Sequence, residues 1–197
     1  MINSDRKKSL APEYFEAVYD AHDDPWNFAS SEYEAAKYAA TLAALPREKY
    51  ESAFEIGCSI GVLTERLAAR CENLLAVDVN EKALAQARQR CEKLPNVNLR
   101  LMDVRKGFPE ENFDLILISE VGYYLSVEDW KAAIEKIITH LNAGGNIVLV
   151  HWTPPVDDYP QTGDAVHDSF AESSAGKLRR LKNVRAEKYR LDVWEKF

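Results

Sequence analysis

Four points along the chain carry polar residues directly after an apolar run: Glu55-x-Gly57, Asp78, Asp103 and Ser119-Glu120. Such groups can meet the polar atoms of a bound ligand. An ionised carboxylate accepts two hydrogen bonds from a vicinal diol, a geometry that lysine and arginine cannot offer. The first point lies in the stretch Ser52-Ala-Phe-Glu-Ile-Gly-Cys-Ser-Ile-Gly-Val-Leu-Thr-Glu-Arg66. Residues 53–56 read as a strand, Gly57 breaks it, and a helix with Leu63 and Leu67 on one face opens at Gly61. A strand turning sharply into a helix exposes backbone N–H groups and a positive helix end at its carboxyl edge. Gly57 can take positive φ, or let the backbone approach a ligand with no Cβ in the way. A Gly-x-x-x-Gly turn alone is equally a plain tight connection. The acids that follow favour a ligand site.

Asp78 falls seventeen residues after Gly61, near the roughly 20-residue spacing at which an acid meets ribose hydroxyls. Its plainer alternative is an ordinary acid at a helix N-terminus. Asp103, at the next strand end, is placed to accept from an adenine amino group, with Val104 supplying a backbone amide.

The elements that must position these residues follow from periodicity. Strands are expected over 73–79, 97–102, 113–119 and 146–150, the run at 113–119 being apolar enough for burial on both faces. Ser31-x-x-Glu34 opens an alanine-rich helix ending before Pro46, Asn80 caps a helix over 81–94, and Ser126-x-x-Asp129 caps another through Leu141, stopped by Gly144-Gly145. Residues 163–173 suit a short helix, and 182–197 two strands or a hairpin. Alternation of strand and helix predicts an α/β fold: a Rossmann-like, doubly wound sheet, mostly parallel with an antiparallel C-terminal strand and helices on both faces. One domain, 1–197, is expected, with an N-terminal arm and helix (1–45), a ligand-binding core (50–152) and a C-terminal loop, helix and strands (153–197).

The arm holds Tyr14, Phe15, Tyr19, Trp26 and Phe28, rings that either cap a hydrophobic edge or form a flap over the site. Tyr33-Glu-Ala-Ala-Lys37 matches the Tyr-x-x-x-Lys pair of short-chain dehydrogenases, but precedes the glycine turn rather than following it. The two are read as neighbours on one helical face.

With 197 residues, 46% of them apolar, the chain can bury one α/β core. A net charge of −7 argues against a general nucleic-acid binder. Three cysteines, Cys58, Cys71 and Cys91, show neither metal-ligand spacing nor an even disulfide set, which suits a cytoplasmic setting with no metal. The first nine residues carry charge without an apolar run behind them, so no secretory leader is expected. The longest apolar runs are strand-length, so no membrane span is expected.

Phe54-Glu-Ile-Gly-Cys-Ser-Ile-Gly61, Asp78, Met102-Asp-Val104 and the strand from Phe113, taken in order, resemble class I S-adenosylmethionine-dependent methyltransferases. Ser59 stands where that family usually has a middle glycine. Asp24-Pro-Trp-Asn-Phe28, Ser31-Glu-Tyr-Glu34 and Ser119-Glu-Val-Gly-Tyr-Tyr-Leu125 narrow the likeness to the NodS-type nodulation methyltransferases, over nearly the whole chain. That resemblance implies N-methylation of the deacetylated, non-reducing-end glucosamine of a chito-oligosaccharide, with S-adenosylmethionine as cofactor. It implies that Gly57, Ser59 and Gly61 surround the methionine moiety, that Asp78 meets the ribose and Asp103 with Val104 the adenine, that Glu55 and Val79 also belong to the cofactor site, and that Ser119 lies beneath the sulfonium with Glu120.

The catalytic candidates are Glu120, Tyr124 and His151: Glu120 to hold an ammonium or take its proton, His151 as an alternative base. Structural hydrogen bonding is as good a reading of Glu120 and His151. His22, His140 and His167 are read as solvent or cap residues. Trp26, Tyr123 and Trp152 are the candidates for stacking on sugar, with core packing expected for one of Tyr123 and Tyr124. The acidic surface suits an amine-bearing glycan. Two alternatives stay open: another small-molecule acceptor, and an NAD-dependent oxidoreductase, although no third glycine follows Gly61 at the helix start.

Overall fold

The computed structural model describes residues 8–197; the expectation of no leader concerns residues that fall largely outside them. The chain runs α1 (Pro12–Ala21), α2 (Glu32–Ala44), β1 (Tyr50–Ile56), α3 (Val62–Ala68), β2 (Cys71–Asp78), α4 (Glu81–Arg90) and β3 (Val97–Leu101). It continues through β4 (Phe113–Ser119), a 3₁₀ turn (Gly122–Tyr124), α5 (Val127–Thr139), β5 (Leu141–Trp152), α6 (Gly163–Ser173), β6 (Leu178–Arg185) and β7 (Tyr189–Lys196). The strands form one seven-stranded sheet in the order β3-β2-β1-β4-β5-β7-β6. β1 to β5 are parallel; β7 is antiparallel to β5, and β6 to β7.

The pleat divides the core between the two faces. Phe54, Ile116, Ile118, Ile147 and Leu149 point to one face, against Trp130, Ile134 and Ile137 of α5 and Phe170 of α6. The alternate residues Ala53, Leu115, Leu117, Val148 and Val150 point to the other, against Tyr38 of α2 and Leu63 and Leu67 of α3. Leu115 to Ile118 are each fully buried, as a central parallel strand covered on both faces requires. Each such side chain contributes about 1.5–3 kcal/mol of transfer free energy. The doubly wound expectation holds: β7 alone runs against the other strands, and β6, antiparallel to β7, returns to the direction of β5.

Caps set most helix starts. Ser31, Asn80, Ser126 and Thr162 accept from the amides of Glu34, Ala83, Asp129 and Ala165. Two ends differ from expectation. The helix after Asn80 stops at Arg90, and residues 91–94 form turns. α5 ends at Thr139 with His140 as its C-cap, not at the glycine pair. Leu141, buried, already pairs with Phe113, and the next registered pair is Leu115 with Asn146, so Gly144-Gly145 sits in a bulge of β5. Helix α1, starting at Pro12, lies where only an arm was expected. No helix of the described residues is long and apolar enough to cross a membrane.

Candidate functional site

The strand order reverses between β2-β1 and β4-β5, and a pocket opens at the carboxyl ends of β1, β2 and β4 there, as in other open α/β sheets. It encloses about 1010 Å3 of empty space, its open mouth included. Glu55, Gly57, Ser59, Asp78, Val79, Asp103, Val104, Ser119 and Glu120 all line it. Gly61 stands one residue behind, between Ile60 and Val62, which also line it.

The turn after β1 is built mostly for the chain itself. Gly57 has φ +83°, and a Cβ there would lie 2.2 Å from Cγ2 of Val121. The close approach that glycine allows is therefore to Val121, rather than to a ligand as the sequence suggests. Gly61 has φ +80°, and a Cβ would meet Ala87 Cβ at 2.9 Å, so it permits the contact of α3 with α4. The amides of Gly57 and Cys58 both donate to the Val77 carbonyl, at 2.8 and 3.0 Å, and that of Gly61 to Cys58 at 2.9 Å. These three N–H groups are not offered to an anion. Ser59, at φ +49°, takes the left-handed conformation a glycine would take more cheaply.

Asp78 anchors this turn. Its Oδ2 accepts from the Ser59 amide and its Oδ1 from the Asn80 amide, each at 2.9 Å. Burial raises its pKa, more than the backbone donors lower it. The Val79 amide also acts on this carboxylate, and of its roughly four acceptor positions one is left where Asp78 lines the pocket. Glu55 is 1% exposed, with the buried Thr64 hydroxyl as its nearby donor; burial outweighs that donor and pushes its pKa up to about 7. Asp103 is gripped by Arg105, whose Nε and guanidinium NH2 donate at 2.8 and 2.7 Å. Burial there opposes ionisation, but Arg105 wins and the pKa falls.

The arm closes one side. Phe15 and Tyr19 of α1, with Trp26 and Phe28 beyond it, line the pocket. Trp26 stacks on Phe28 at 5.5 Å, and the Tyr19 hydroxyl lies 2.5 Å from Ser59 Oγ.

Glu120 sits just past β4 with φ +60°. Its Oε1 accepts from Lys37 Nζ at 2.5 Å, and its Oε2 from the Trp152 amide at 2.9 Å and from the Tyr123 hydroxyl. Lys37 and Tyr33 are neighbours on α2, the ammonium 5.4 Å from the ring. Its reach to Glu120 was not visible from spacing.

Three expected roles are corrected by placement. His151 is fully buried and does not line the pocket. Its Nε2 accepts from the Gly122 amide at 3.0 Å, and its Nδ1 faces His167 Nε2 at 3.1 Å. Both ring nitrogens are engaged within the chain, and neither faces the pocket as a base there would. His167, expected at solvent or a cap, is equally buried and passes the chain to Asp192 at 2.8 Å. Trp152 does not rim this pocket: it packs edge-on against Tyr33, with Lys188 over its ring. Tyr123 is the core member of its pair, stacked on Tyr159, while Tyr124 lines the pocket with its hydroxyl 3.4 Å from that of Tyr159. His140 caps α5, and exposed His22 caps α1.

A family model described as nodulation protein S, NodS, matches residues 14–154. The chain belongs to the NodS family. The matched span runs from α1 through β5 and contains every acid lining the pocket. Nodulation protein S of Rhizobium tropici is 34% identical over 131 residues, 66% of this chain and 55% of that one. Nodulation protein S of Bradyrhizobium diazoefficiens is 38% identical over 123 residues, 61% of this chain and 59% of the relative. The chain thus spans well under two thirds of the length of these NodS relatives. A crystal structure of a candidate methyltransferase from Pseudomonas syringae superposes with TM-score 0.73 at 34% identity, covering 84% of this chain and 100% of that one. The N-methyltransferase NodS of Bradyrhizobium japonicum WM9, solved with S-adenosyl-L-homocysteine, superposes with TM-score 0.80 at 24% identity, covering 93% and 97%. That likeness shows that the NodS fold is shared.

Proposed function

We propose that this chain transfers a methyl group from S-adenosylmethionine to the free amine of a deacetylated chito-oligosaccharide. One observation carries the reading: in a NodS-family chain, Asp78 stands at the β2 end with both oxygens oriented by backbone amides and acceptor capacity left toward the pocket. A ribose diol needs that arrangement. Membership of the NodS family supports the choice of acceptor.

The residues present fit the cofactor. Asp78, with Val79 beside it, would hold the ribose. Asp103 and Val104 would face the adenine, Asp103 sharing its oxygens with Arg105. Glu55, buried beside Thr64 and lining the pocket, has acceptor capacity beyond that one hydroxyl, which the amino group of a methionine moiety would use. Ser59 and Gly61 shape the turn around that moiety, and Ser119 and Glu120 would lie near the sulfonium. When bound, S-adenosylmethionine supplies an electrophilic methyl group. The turn after β1 spends three of its amides within the chain, which leaves little for the pyrophosphate of a dinucleotide.

The chain's own work is positioning. A deprotonated aliphatic amine is a good nucleophile, so holding it in line is the main requirement. Glu120 is the polar anchor for the amine, Tyr124 a wall beside it, and Trp26 with the arm a cover that limits water. The three cysteines are buried free thiols, which suits a cytoplasmic setting.

Methyl-labelled S-adenosylmethionine, incubated with the protein and partly deacetylated chitin oligomers, tests this reading. Label on the amine-bearing oligomer, and none on the fully acetylated one, is expected. Absence of transfer to either contradicts it.

A further inference from the structure

Beside the pocket, the ammonium of Lys37 is 2% exposed and lies between two carboxylates, 2.9 Å from Glu34 and 2.5 Å from Glu120. Burial pulls its pKa down, but the two carboxylates raise it further, so it stays charged. A buried charge is retained only when paired in this way. Burial raises the pKa of Glu34 more than Lys37 lowers it, and with both carboxylates ionised against one ammonium the group is a positive charge short. Among the described residues, no cation other than Lys37 is ion-paired with either carboxylate. The phenols of Tyr33, Tyr38, Tyr123 and Tyr124 are pushed up by burial and by the carboxylates and remain neutral. His151, whose pKa burial depresses, is neutral too, and Glu55, which acts on Tyr38, adds only negative charge when ionised.

Glu120 has room for one more donor. A carboxylate offers about four lone-pair positions. Lys37 takes one on Oε1, while Tyr123 and the Trp152 amide take both on Oε2. The position left is on Oε1, and Glu120 lines the pocket with its side chain 12% exposed. Its left-handed backbone, unusual for a residue with a long side chain, holds it there. Three donors fix the orientation of the carboxylate, which suits it to anchor a donor from the pocket.

We propose that Lys37 is a positioning residue that holds the Glu120 carboxylate in place with one acceptor position open, so that Glu34, Lys37 and Glu120 together bind the acceptor through its protonated amine. This deepens the methyl-transfer reading and rests on it for the identity of the acceptor. The buried group then selects against an acetylated nitrogen, which carries no charge, and against a hydroxyl. The amine gives up its proton to water before it reacts.

Calorimetric binding of a chitin trimer with one free amine, against the fully acetylated trimer, tests this with S-adenosylhomocysteine present. The wild type is expected to prefer the amine by about tenfold or more, the worth of one charge-assisted hydrogen bond. Glu34→Gln should bring the preference toward parity, because it removes the unbalanced charge while keeping the side-chain shape. Lys37→Met, which releases the Glu120 carboxylate from its fixed orientation, should reduce the preference for the amine, and Lys37→Arg should restore most of it. Each variant's affinity for S-adenosylhomocysteine reports that it is folded, and if Lys37→Met does not fold, Glu34→Gln decides. Equal binding of the two trimers by the wild type, or an unchanged preference in Glu34→Gln, overturns the proposal. If the wild type binds no S-adenosylhomocysteine, the methyl-transfer reading falls and this inference with it; if it binds but shows no amine preference, this inference alone falls.

Discussion

The Ser59 amide donates to Oδ2 of Asp78 at 2.9 Å, so the left-handed residue of the glycine turn and the acid at the end of β2 form one unit. Whatever the turn surrounds, Asp78 both shapes it and faces it. Asp78→Ala should therefore weaken binding of S-adenosylhomocysteine by about 1–3 kcal/mol through lost charge-assisted hydrogen bonds. Isothermal titration measures this. Unchanged affinity would remove the ribose role.

Gly57 is constrained twice, by φ +83° and by Val121 at 2.2 Å from where a Cβ would stand. Gly57→Ala should cost about 2–4 kcal/mol of stability, the sum of a left-handed penalty and overpacking. Adding Val121→Ala should recover the packing part only. Urea denaturation of both variants and the pair gives the coupling, and strict additivity would mean that the two side chains do not meet.

Much of this was readable along the chain because it is local. The apolar run of β4, the Asn80 cap and the strand-end acids are set by neighbours within a few residues. What escaped is set by distance in sequence. Lys37 meets Glu120 across 83 residues, and nothing about an i, i+4 pair on an alanine-rich helix announces it. His167 did carry a signal: it shares the inner face of α6 with Val166 and Phe170, all fully buried. Asp192, a charge inside the apolar run of β7, marked its partner's place as well. The C-terminal sheet was legible in kind but not in extent, because Leu178, buried, starts β6 before any alternation shows.

Glu55 gives the ligand-free protein a pH signature. Its ordinary pKa of 4.5 is raised to about 7 by burial, so the folded state prefers it protonated. Its contribution is complete below the unfolded value and is lost as pH rises from 4.5 through 7. Glu55→Gln should match the wild type near the acid end and exceed it at pH 8 by up to about 3 kcal/mol. Chemical denaturation across that range checks it. A difference that does not grow with pH would contradict the burial of an uncompensated carboxyl.

The buried histidines act in the opposite sense. Burial holds His151 well below the ordinary 6.5, and burial lowers His167 despite the pull of Asp192. Their contribution is present above the unfolded value of 6.5 and is lost as pH falls through the folded pKa values. His151→Gln should lower stability at pH 8 by about 1–3 kcal/mol, from groups left without their partner. Its stability should then fall less steeply than that of the wild type between pH 7 and 5. Parallel curves would show that His151 does not titrate on unfolding.

The central claim is that an adenosyl ligand lies across the ends of β1, β2 and β3 with its ribose on Asp78. A crystal structure of the protein grown with S-adenosylhomocysteine tests it most directly. Both ribose hydroxyls within hydrogen-bond distance of the Asp78 carboxylate is the predicted result. A ligand bound elsewhere, or a ribose held by another residue with Asp78 facing away, would contradict it.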